Sequence, residues 1–531
     1  MLINNVMSDP DPEETLMCPT SCSVDGNLLQ RGRRVGLAAL FAASLSACGG
    51  GGGGSSSPAP VPPPTIPPSS TLAQQCAPTN SFAPTANRTS SLDTEKRWAR
   101  SYVNEAYLWY SEVPTVDLTL PAFSNTANVY ASLDAYFEAL LTPALTSSGK
   151  RKDEFSFIYP TAEWNALSQG GVVAGYGIEW YLGSATPPRD LRIAYVDPGT
   201  PAAGASLTRG MRVLSINGVD INTTTQAGID TINRGAFSPQ PGQSYTFVFQ
   251  TLTGAAQTAT LTAGSVTKVP VQNVKTITTS SGAKVGYLTF TDFITPSEGQ
   301  LVTAFSQLQA AGVDDLVLDL RYNGGGFLYI SSQLGYMIAG SARTSGKVFE
   351  RLQFNDKRTA DNNNPNNTYP FFNLTSGFSG SGTSANQTLP SLNLPRVFVL
   401  TSSASCSASE AVINALEGID VQVIRIGRTT CGKPYGFTQK DNCGISYFPI
   451  EFKGVNQKGF GDFADGFAPR CVAADDFSKP LGDPTEGMLA AALAFRQTGA
   501  CPAADNSQSQ KLADQAQGRI VRHPVRESMY R

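Results

Sequence analysis

Histidine is almost absent from this chain of 531 residues, which contains only His523. That residue lies in Arg522-His523-Pro524, in a polar segment after the last predicted helix. A Ser-His-Asp triad needs an imidazole that packing and a third group hold against the nucleophile, and a histidine zinc site needs ordered imidazoles as well. The sequence therefore argues against both kinds of site, and hydrolytic chemistry in this chain would need a different base.

Charge and long apolar runs are also scarce. Charged residues make up 15% of the chain and the net charge is −3, which gives no electrostatic reason to expect nucleic acid as a partner. No CxxC pair offers metal ligands, and we expect neither a metal nor an organic cofactor. The length and the 41% of hydrophobic residues instead predict a folded, soluble protein of several domains.

The N-terminal residues have the pattern of an export signal. Three arginines precede a short apolar stretch, Val35 to Ala47, and Leu45-Ser46-Ala47-Cys48 resembles the bacterial lipobox, in which the cysteine is lipidated. We predict a signal peptide over 1–48, lipidation at Cys48, and a Gly/Ser/Pro tether over 49–75. The expected location is the bacterial cell envelope, facing the periplasm and held by the lipid anchor in the outer rather than the inner membrane. An ordinary cleaved signal with an incidental cysteine is the alternative.

The cysteines after Cys48 are even in number, which favours disulfides in an oxidising compartment. Cys431 and Cys443 flank a single loop, so we expect these two to lie closest together. Unpaired buried thiols are the alternative. The six residues are Cys76, Cys406, Cys431, Cys443, Cys471 and Cys501.

Changes in periodicity divide the rest of the chain into four parts. An aromatic-rich helical region comes first, then short strands and turns, then alternating strands and helices, and finally a polar tail. The alternation predicts an α/β core with parallel strands, so the fold class is multidomain, with a β domain inserted in the core or preceding it. The four parts are 76–160, 165–266, 270–502 and 503–531. Predicted helices cover 92–110, 129–141, 297–311, 328–338, 408–416 and 486–497, predicted core strands cover 285–290, 316–321, 396–401 and 421–426, and a surface loop or lid covers 355–390.

The β region contains a tight hairpin signal, Asn217-Gly218 between alternating apolar residues. Its order of strands and turns resembles the PDZ family, including a carboxylate-binding loop at Gly175, Tyr176, Gly177 and Ile178. PDZ domains add an extended peptide to a sheet edge and grip its terminal carboxylate with backbone N–H groups. The resemblance implies a peptide-binding module, and a small β domain that binds nothing is the alternative.

Three segments after predicted strands carry candidate catalytic groups, because open α/β sheets place ligands at the carboxyl ends of their strands. Gly324-Gly325-Gly326 has backbone N–H groups that could stabilise an oxyanion, although glycine runs are more often plain loops. Ser407 precedes a predicted helix and forms a capping box with Glu410, which explains the pair without catalysis. Lys433 follows the next strand, where a solvated lysine is the ordinary interpretation.

These segments, in this order and after a PDZ-like region, resemble the carboxyl-terminal processing proteases, also called tail-specific proteases. The resemblance implies that Ser407 is the nucleophile and Lys433 the general base, with the backbone N–H groups near Gly325 and Ala408 as oxyanion donors. It further implies a clpP/crotonase-like α/β core and a serine endopeptidase that cleaves exported proteins with accessible C-terminal tails. A catalytically inactive, peptide-binding envelope lipoprotein of the same fold is the alternative, and a polysaccharide-binding surface protein is a third.

One departure from the family pattern and one energetic requirement follow. Many members of that family carry a glutamine four residues after the lysine, where this chain has Phe437, and Gln439 is the accessory candidate to replace it. A lysine titrates near ~10.4, so a lysine base at neutral pH requires that its ammonium be strongly destabilised. We therefore predict that Lys433 is buried, with no carboxylate in contact.

Overall fold

The computed structural model describes residues 66–503 and 518–521, and the backbone of 529–530. The predicted signal peptide, Cys48, the tether up to residue 65 and His523 lie outside these residues. Within the described part of the chain, none of the helices combines the length and apolar character that a bilayer span requires.

The N-terminal helical region shares its core with a segment that comes much later in the chain. The Ser91 hydroxyl accepts a hydrogen bond from Thr94 N and so caps the first helix. Trp98 on that helix packs at 4.8 Å between ring centroids against Tyr447. This region therefore folds as one unit with residues 437–450. Its elements are α1 (Leu92–Ala106), α2 (Val129–Ala139), β1 (Phe157–Pro160) and α3 (Thr161–Gly170).

An antiparallel β domain follows. Asn217 and Gly218 both have positive φ, 48° and 75°, so the predicted hairpin turn is present. The core of this domain is aromatic and includes Trp180, Phe247 and Phe249. Its elements are β2 (Val172–Gly175), β3 (Ile178–Ser184), β4 (Asp190–Val196), α4 (Pro201–Gly204), β5 (Arg212–Ile216), β6 (Val219–Asp220), α5 (Gln226–Ala236), β7 (Ser244–Gln250), β8 (Ala256–Thr262) and β9 (Gly264–Thr267). The main sheet runs in the order β3-β4-β5-β7-β8.

The third part is an α/β core. Its strands are β10 (Val271–Thr278), β11 (Lys284–Phe290), β12 (Asp315–Asp319), β13 (Gly326–Phe327), β14 (Val348–Phe354), β15 (Thr368–Pro370), β16 (Arg396–Thr401), β17 (Gln422–Gly427), β18 (Tyr435–Gly436), β19 (Lys440–Asn442), β20 (Ile445–Phe448), β21 (Phe452–Val455) and β22 (Cys471–Val472). Its helices are α6 (Ser297–Ala311), α7 (Leu328–Ala339), α8 (Ser341–Thr344), α9 (Thr359–Asn362), α10 (Ala408–Gly418) and α11 (Gly487–Thr498). Two short strands lie in the predicted polar tail, β23 (Arg519–Val521) and β24 (Met529–Tyr530).

The central sheet has the order β10-β11-β12-β16-β17-β22, in which β11 to β22 are parallel and β10 is antiparallel to β11. Both faces are covered: Leu316 and Leu318 belong to one apolar cluster, and Val317 between them belongs to the opposite one. Burial on two faces explains the continuous apolar runs of these strands. Because the strands are parallel, the turns after β12, β16 and β17 meet at one edge of the sheet, and these are the three candidate catalytic segments.

Candidate active site

The turn after β16 holds Ser407 in an unusual conformation. Ser407 has φ 61° and ψ −114°, a region that non-glycine residues seldom adopt and that must be held by its surroundings. Hydrogen bonds to the segment that follows β12 hold this turn in place. Cys406 N donates to Asn323 O at 3.0 Å, and Ser405 Oγ donates to Leu320 O at 2.8 Å. The predicted serine and glycine segments are thus fastened to each other.

The Ser407 side chain is buried, and its Oγ has no hydrogen-bond partner among the described residues. Buried hydroxyl groups are almost always hydrogen-bonded. The Ser407 hydroxyl is an exception, which leaves it available to a ligand. The predicted capping box is present, with a hydrogen bond from Ser407 N to Glu410 Oε2 and a weaker contact from Glu410 N to the Ser407 side chain that falls short of hydrogen-bond geometry. The Ala408 N–H, at the first position of α10, has no acceptor within the helix.

Glu410 joins the serine turn to the lysine turn. Its Oε2 accepts hydrogen bonds from Ser407 N at 3.0 Å and from Lys433 N at 2.8 Å. Its Oε1 accepts from Gly432 N at 2.9 Å and from Thr430 Oγ1 at 2.5 Å. Burial raises the pKa of the Glu410 carboxyl above its usual value, and these four hydrogen bonds oppose that shift. The sequence pattern identified Glu410 only as a helix cap, and its role as a bridge was missed.

A disulfide joins the same two turns. Cys406 and Cys431 are bonded with their Cα atoms 5.2 Å apart, and Cys76 is bonded to Cys443. The expected closeness of Cys431 and Cys443 is therefore wrong. The physical reason is that Cys431 faces the neighbouring parallel strand, whereas Cys443 lies in the β19–β20 hairpin on the N-terminal region. The third disulfide joins Cys471 to Cys501.

Lys433 is fully buried, which confirms that part of its prediction. Its Nζ lies 4.6 Å from the ring centroid of Phe437 and 5.0 Å from that of Phe155, which belongs to the N-terminal region. Phe437 thus stands beside the amine where a glutamine was expected from the resemblance. The amide nitrogen of Gln439 instead donates to Asp441 Oδ1 at 2.9 Å, within the β19–β20 hairpin. The geometry therefore does not support Gln439 as an accessory to the lysine.

The glycine segment differs from its prediction in one respect. Gly325 N donates to Asn323 Oδ1 at 2.9 Å, so the predicted oxyanion donor is occupied by a side chain of its own loop. Gly325 and Gly326 have φ of 106° and 135°, and a Cβ on Gly326 would lie 2.2 Å from Phe293 O. Glycine is therefore required here by backbone packing as well.

A buried ion-pair network lies behind these turns and was not foreseen. Arg321 Nε bonds Asp319 Oδ1 at 2.9 Å, and its Nη1 bonds Glu486 at 2.8 Å and Asp475 at 2.6 Å. Asp475 also binds Arg209 of the β domain. The signal in the sequence was a pair of charges, Asp319 and Arg321, at the end of an otherwise apolar strand. Such buried charges need partners, and the partners come from distant segments.

The predicted carboxylate-binding loop lies at the start of β3. Gly177 has φ 81°, and a Cβ there would lie 2.3 Å from Thr200 Oγ1, so only glycine fits. Tyr176 is buried and its ring packs on Phe247, inside the domain core. The structure brings Ser407, Lys433 and the glycine segment to one place, while this loop belongs to the separate β domain.

Comparison with models of known protein families gives two matches. Residues 284–441 match the model of peptidase family S41, and residues 94–157 match the peptidase S41 N-terminal domain. The chain thus contains an S41 peptidase domain and, N-terminal to it, an S41 N-terminal domain. The two matches lie on either side of the β domain. The serine and lysine turns both fall within the match over residues 284–441.

Two curated relatives are carboxyl-terminal-processing proteases. The protein from Picosynechococcus sp. is 28% identical over 167 residues, which are 30% of this chain and 37% of that protein. The protein from Synechocystis sp. is 28% identical over 158 residues, which are 30% of this chain and 36% of that protein. The chain therefore spans little more than a third of the length of these relatives.

Structural similarity covers more of the chain than sequence similarity does. The crystal structure of an S41-type protein from Bacteroides fragilis superposes with a TM-score of 0.56 at 24% identity, and covers 76% of this chain and 97% of that one. The mixed α/β architecture described above is thus an S41 protease fold.

Proposed function

We propose that this chain is a serine endopeptidase in which Ser407 is the nucleophile and Lys433 the general base. The observation that carries the proposal is the shared Glu410 oxygen, which accepts from Ser407 N at 3.0 Å and from Lys433 N at 2.8 Å. This oxygen brings the backbones of the two residues to one atom, and both side chains are buried there. The match of residues 284–441 to the model of peptidase family S41 supports the same reaction class.

The proposed reaction uses only groups of the chain, the substrate and water. Neutral Lys433 Nζ takes the proton of the Ser407 hydroxyl while Oγ attacks the carbonyl carbon of the scissile peptide bond. The Ala408 N–H stabilises the oxyanion, and Lys433 then gives the proton to the leaving amine. Water, activated by the same amine, hydrolyses the acyl ester and restores Ser407. Within the described part of the chain Ser407 Oγ has no hydrogen-bond partner, so the proton transfer breaks no such bond there.

The pocket supports a neutral amine. For a fully buried lysine, desolvation disfavours the ammonium by on the order of 4–7 kcal/mol. The two phenylalanine rings beside Lys433 attract a cation, but such contacts contribute only about 0.5–2 kcal/mol. Desolvation exceeds the attraction of these rings, and it is the effect that a general base needs.

The β domain is proposed as a PDZ-like module that binds the extended C-terminal tails of protein substrates. The glycine loop that leads into β3 supports this assignment, because backbone N–H groups near Gly177 lie at the start of a sheet strand. From the predicted export signal and the predicted lipidation of Cys48, we infer that the substrates are exported proteins at the bacterial envelope. Both location and substrates are part of the proposal.

A fluorophosphonate probe tests the chemistry directly, since it labels an activated serine. We expect labelling of Ser407 in the wild type, none in Ser407→Ala, and a loss of at least about 100-fold in labelling rate for Lys433→Ala, the usual size of a general-base contribution. Lys440→Ala, which removes an exposed lysine nearby, is the matched control and should label normally.

The second candidate function is a catalytically inactive relative that only binds peptides. One observation favours it: the Gly325 N–H is already bonded to Asn323 Oδ1, which leaves one fewer oxyanion donor. Absence of labelling in the wild type, together with retained binding of peptide tails, would establish this candidate instead.

A further inference from the structure

The C-terminal tail of this chain adds a strand to the β domain. Strand β23 pairs antiparallel with β3, with Arg519 opposite Leu182, Ile520 opposite Tyr181 and Val521 opposite Trp180. It thereby becomes the edge strand of a sheet that would otherwise end at β3. This edge is where a PDZ-like module would add the strand of a bound peptide.

Side-chain packing fits the tail to this edge. Ile520 is buried in an apolar cluster that includes Tyr181 of the β domain and Tyr322 of the core. Gly518 passes so close to Tyr181 that a Cβ would lie 1.8 Å from the Tyr181 hydroxyl oxygen. The pairing therefore depends on the particular residues of the tail, which is the mark of a specific docked segment.

Strand β23 runs in the direction expected for a bound peptide. Because β23 is antiparallel to β3, it runs from Arg519 to Val521 in the direction of the start of β3, where the loop Gly175 to Ile178 lies. A substrate tail held by that loop would run in the same direction. The tail of this protein thus occupies the place and takes the direction proposed for a substrate.

The tail then reaches the catalytic part of the molecule. The backbone of β24 pairs in parallel with β13, with Met529 opposite Gly326 and Tyr530 opposite Phe327. Strand β24 also lies beside β18, which begins two residues after Lys433. One segment therefore contacts both the edge proposed for substrate tails and the glycine strand next to the serine turn.

We propose that β23 and β24 act as an internal ligand, which fills the path of a substrate chain and lowers activity until a substrate tail displaces it. The proposal rests on the peptidase function proposed above. A sheet edge can pair with only one strand at a time, and a tethered strand competes at a high effective concentration. The displacing ligand would be an extended, non-polar C-terminal tail of another protein.

The experiment compares the full chain with a chain that ends at residue 517 and with Ile520→Asp, which places a charge in the buried position. Ile520→Val, which keeps an apolar β-branched side chain, is the matched control. Two readouts are used: cleavage of an unfolded protein with a non-polar tail, and binding of a labelled synthetic peptide of residues 518–531. If the tail is docked in about nine molecules of ten, truncation should raise peptide affinity about tenfold, with a comparable rise in cleavage at low substrate.

The outcomes separate the two proposals. Faster cleavage and tighter peptide binding in the truncated chain and in Ile520→Asp, reversed when the synthetic peptide is added, support the internal ligand. Equal binding in all four proteins overturns it, as does slower cleavage by truncated chains whose unfolding transition is unchanged. If none of the proteins cleaves or labels, the peptidase function fails, and the peptide-binding readout still decides whether the tail occupies the edge.

Discussion

Cys406 and Cys431 form a disulfide between the residue that precedes Ser407 and the second residue before Lys433. The bond therefore fastens the proposed nucleophile turn to the proposed base turn by a covalent link of 5.2 Å between Cα atoms. Glu410 makes the corresponding non-covalent link through both backbone N–H groups. The disulfide and the Glu410 hydrogen bonds thus independently hold the serine turn against the lysine turn, and each can be removed separately.

Removal of the disulfide should reduce both stability and activity. The double variant Cys406→Ser, Cys431→Ser should lose about 3 kcal/mol of unfolding free energy, because the bond closes a loop of 25 residues. Its fluorophosphonate labelling should also slow. The control is Cys471→Ser with Cys501→Ser, which opens a loop of 30 residues away from the serine turn. Urea unfolding should show similar losses for the two double variants, and a similar loss of labelling in the control would contradict a positioning role.

Glu410 should matter more than an ordinary helix cap. Glu410→Ala leaves three N–H groups and the Thr430 hydroxyl without their acceptor, and should lower the unfolding free energy by about 3–5 kcal/mol. Glu410→Gln keeps one carbonyl oxygen and should lose less stability, while labelling of Ser407 still slows. Urea unfolding and labelling rates check both variants. Normal labelling in a folded Glu410→Gln protein would show that the bridge does not position the pair.

Phe437 should control the pH dependence of the proposed reaction. A glutamine at this position would place a polar amide beside Lys433, stabilise the ammonium and move the acid limb of the pH–activity profile to higher pH. Phe437→Leu keeps the pocket apolar and serves as the control, with a smaller displacement. The measurement is the rate of serine labelling as a function of pH for the three proteins. Coincident profiles for wild type and Phe437→Gln would overturn this role.

Much of the α/β core could be predicted from the sequence because the patterns that indicate its strands and helices are local. Helix α6 and strand β16 have the predicted bounds, since a parallel strand buried on two faces is a short apolar run and its helix is amphipathic. The proximity of the serine and lysine turns could also be predicted from the sequence, because consecutive parallel strands return the chain to the same edge of the sheet. Such inferences need only periodicity and topology.

Other features depend on contacts between distant segments, which periodicity does not encode. Phe155 lies far from Lys433 in the chain, and the pairing of Cys76 with Cys443 joins residues 367 apart. The occupied Gly325 N–H depends on a side-chain rotamer within the loop. The tail strands could not be recognised because a three-residue strand in a polar segment has too few residues to show alternation.

Glu350 predicts a pH dependence of stability that is independent of catalysis. It lies on β14 and is buried, neither carboxyl oxygen has a partner among the described residues, and burial raises its pKa from 4.5 to about 8. Between these values the unfolded chain releases the proton and the folded chain retains it. The Glu350 contribution to stability is therefore fully present below pH 4.5 and is lost as the pH rises towards 8, by up to about 1.4 kcal/mol per pH unit.

Glu350→Gln should remove this slope, because the amide keeps the shape of the side chain and does not ionise. Urea unfolding should be measured at a series of pH values from about 5 to about 8. Across that range the unfolding free energy of the variant should rise relative to that of the wild type by a few kcal/mol. Other buried carboxyls titrate in both proteins and cancel in the difference. Glu163→Gln, on the exposed face of α3, is the control and should leave the wild-type slope unchanged. Parallel stability curves for wild type and Glu350→Gln would mean that the Glu350 carboxyl is already ionised in the folded protein, with water reaching it past β14.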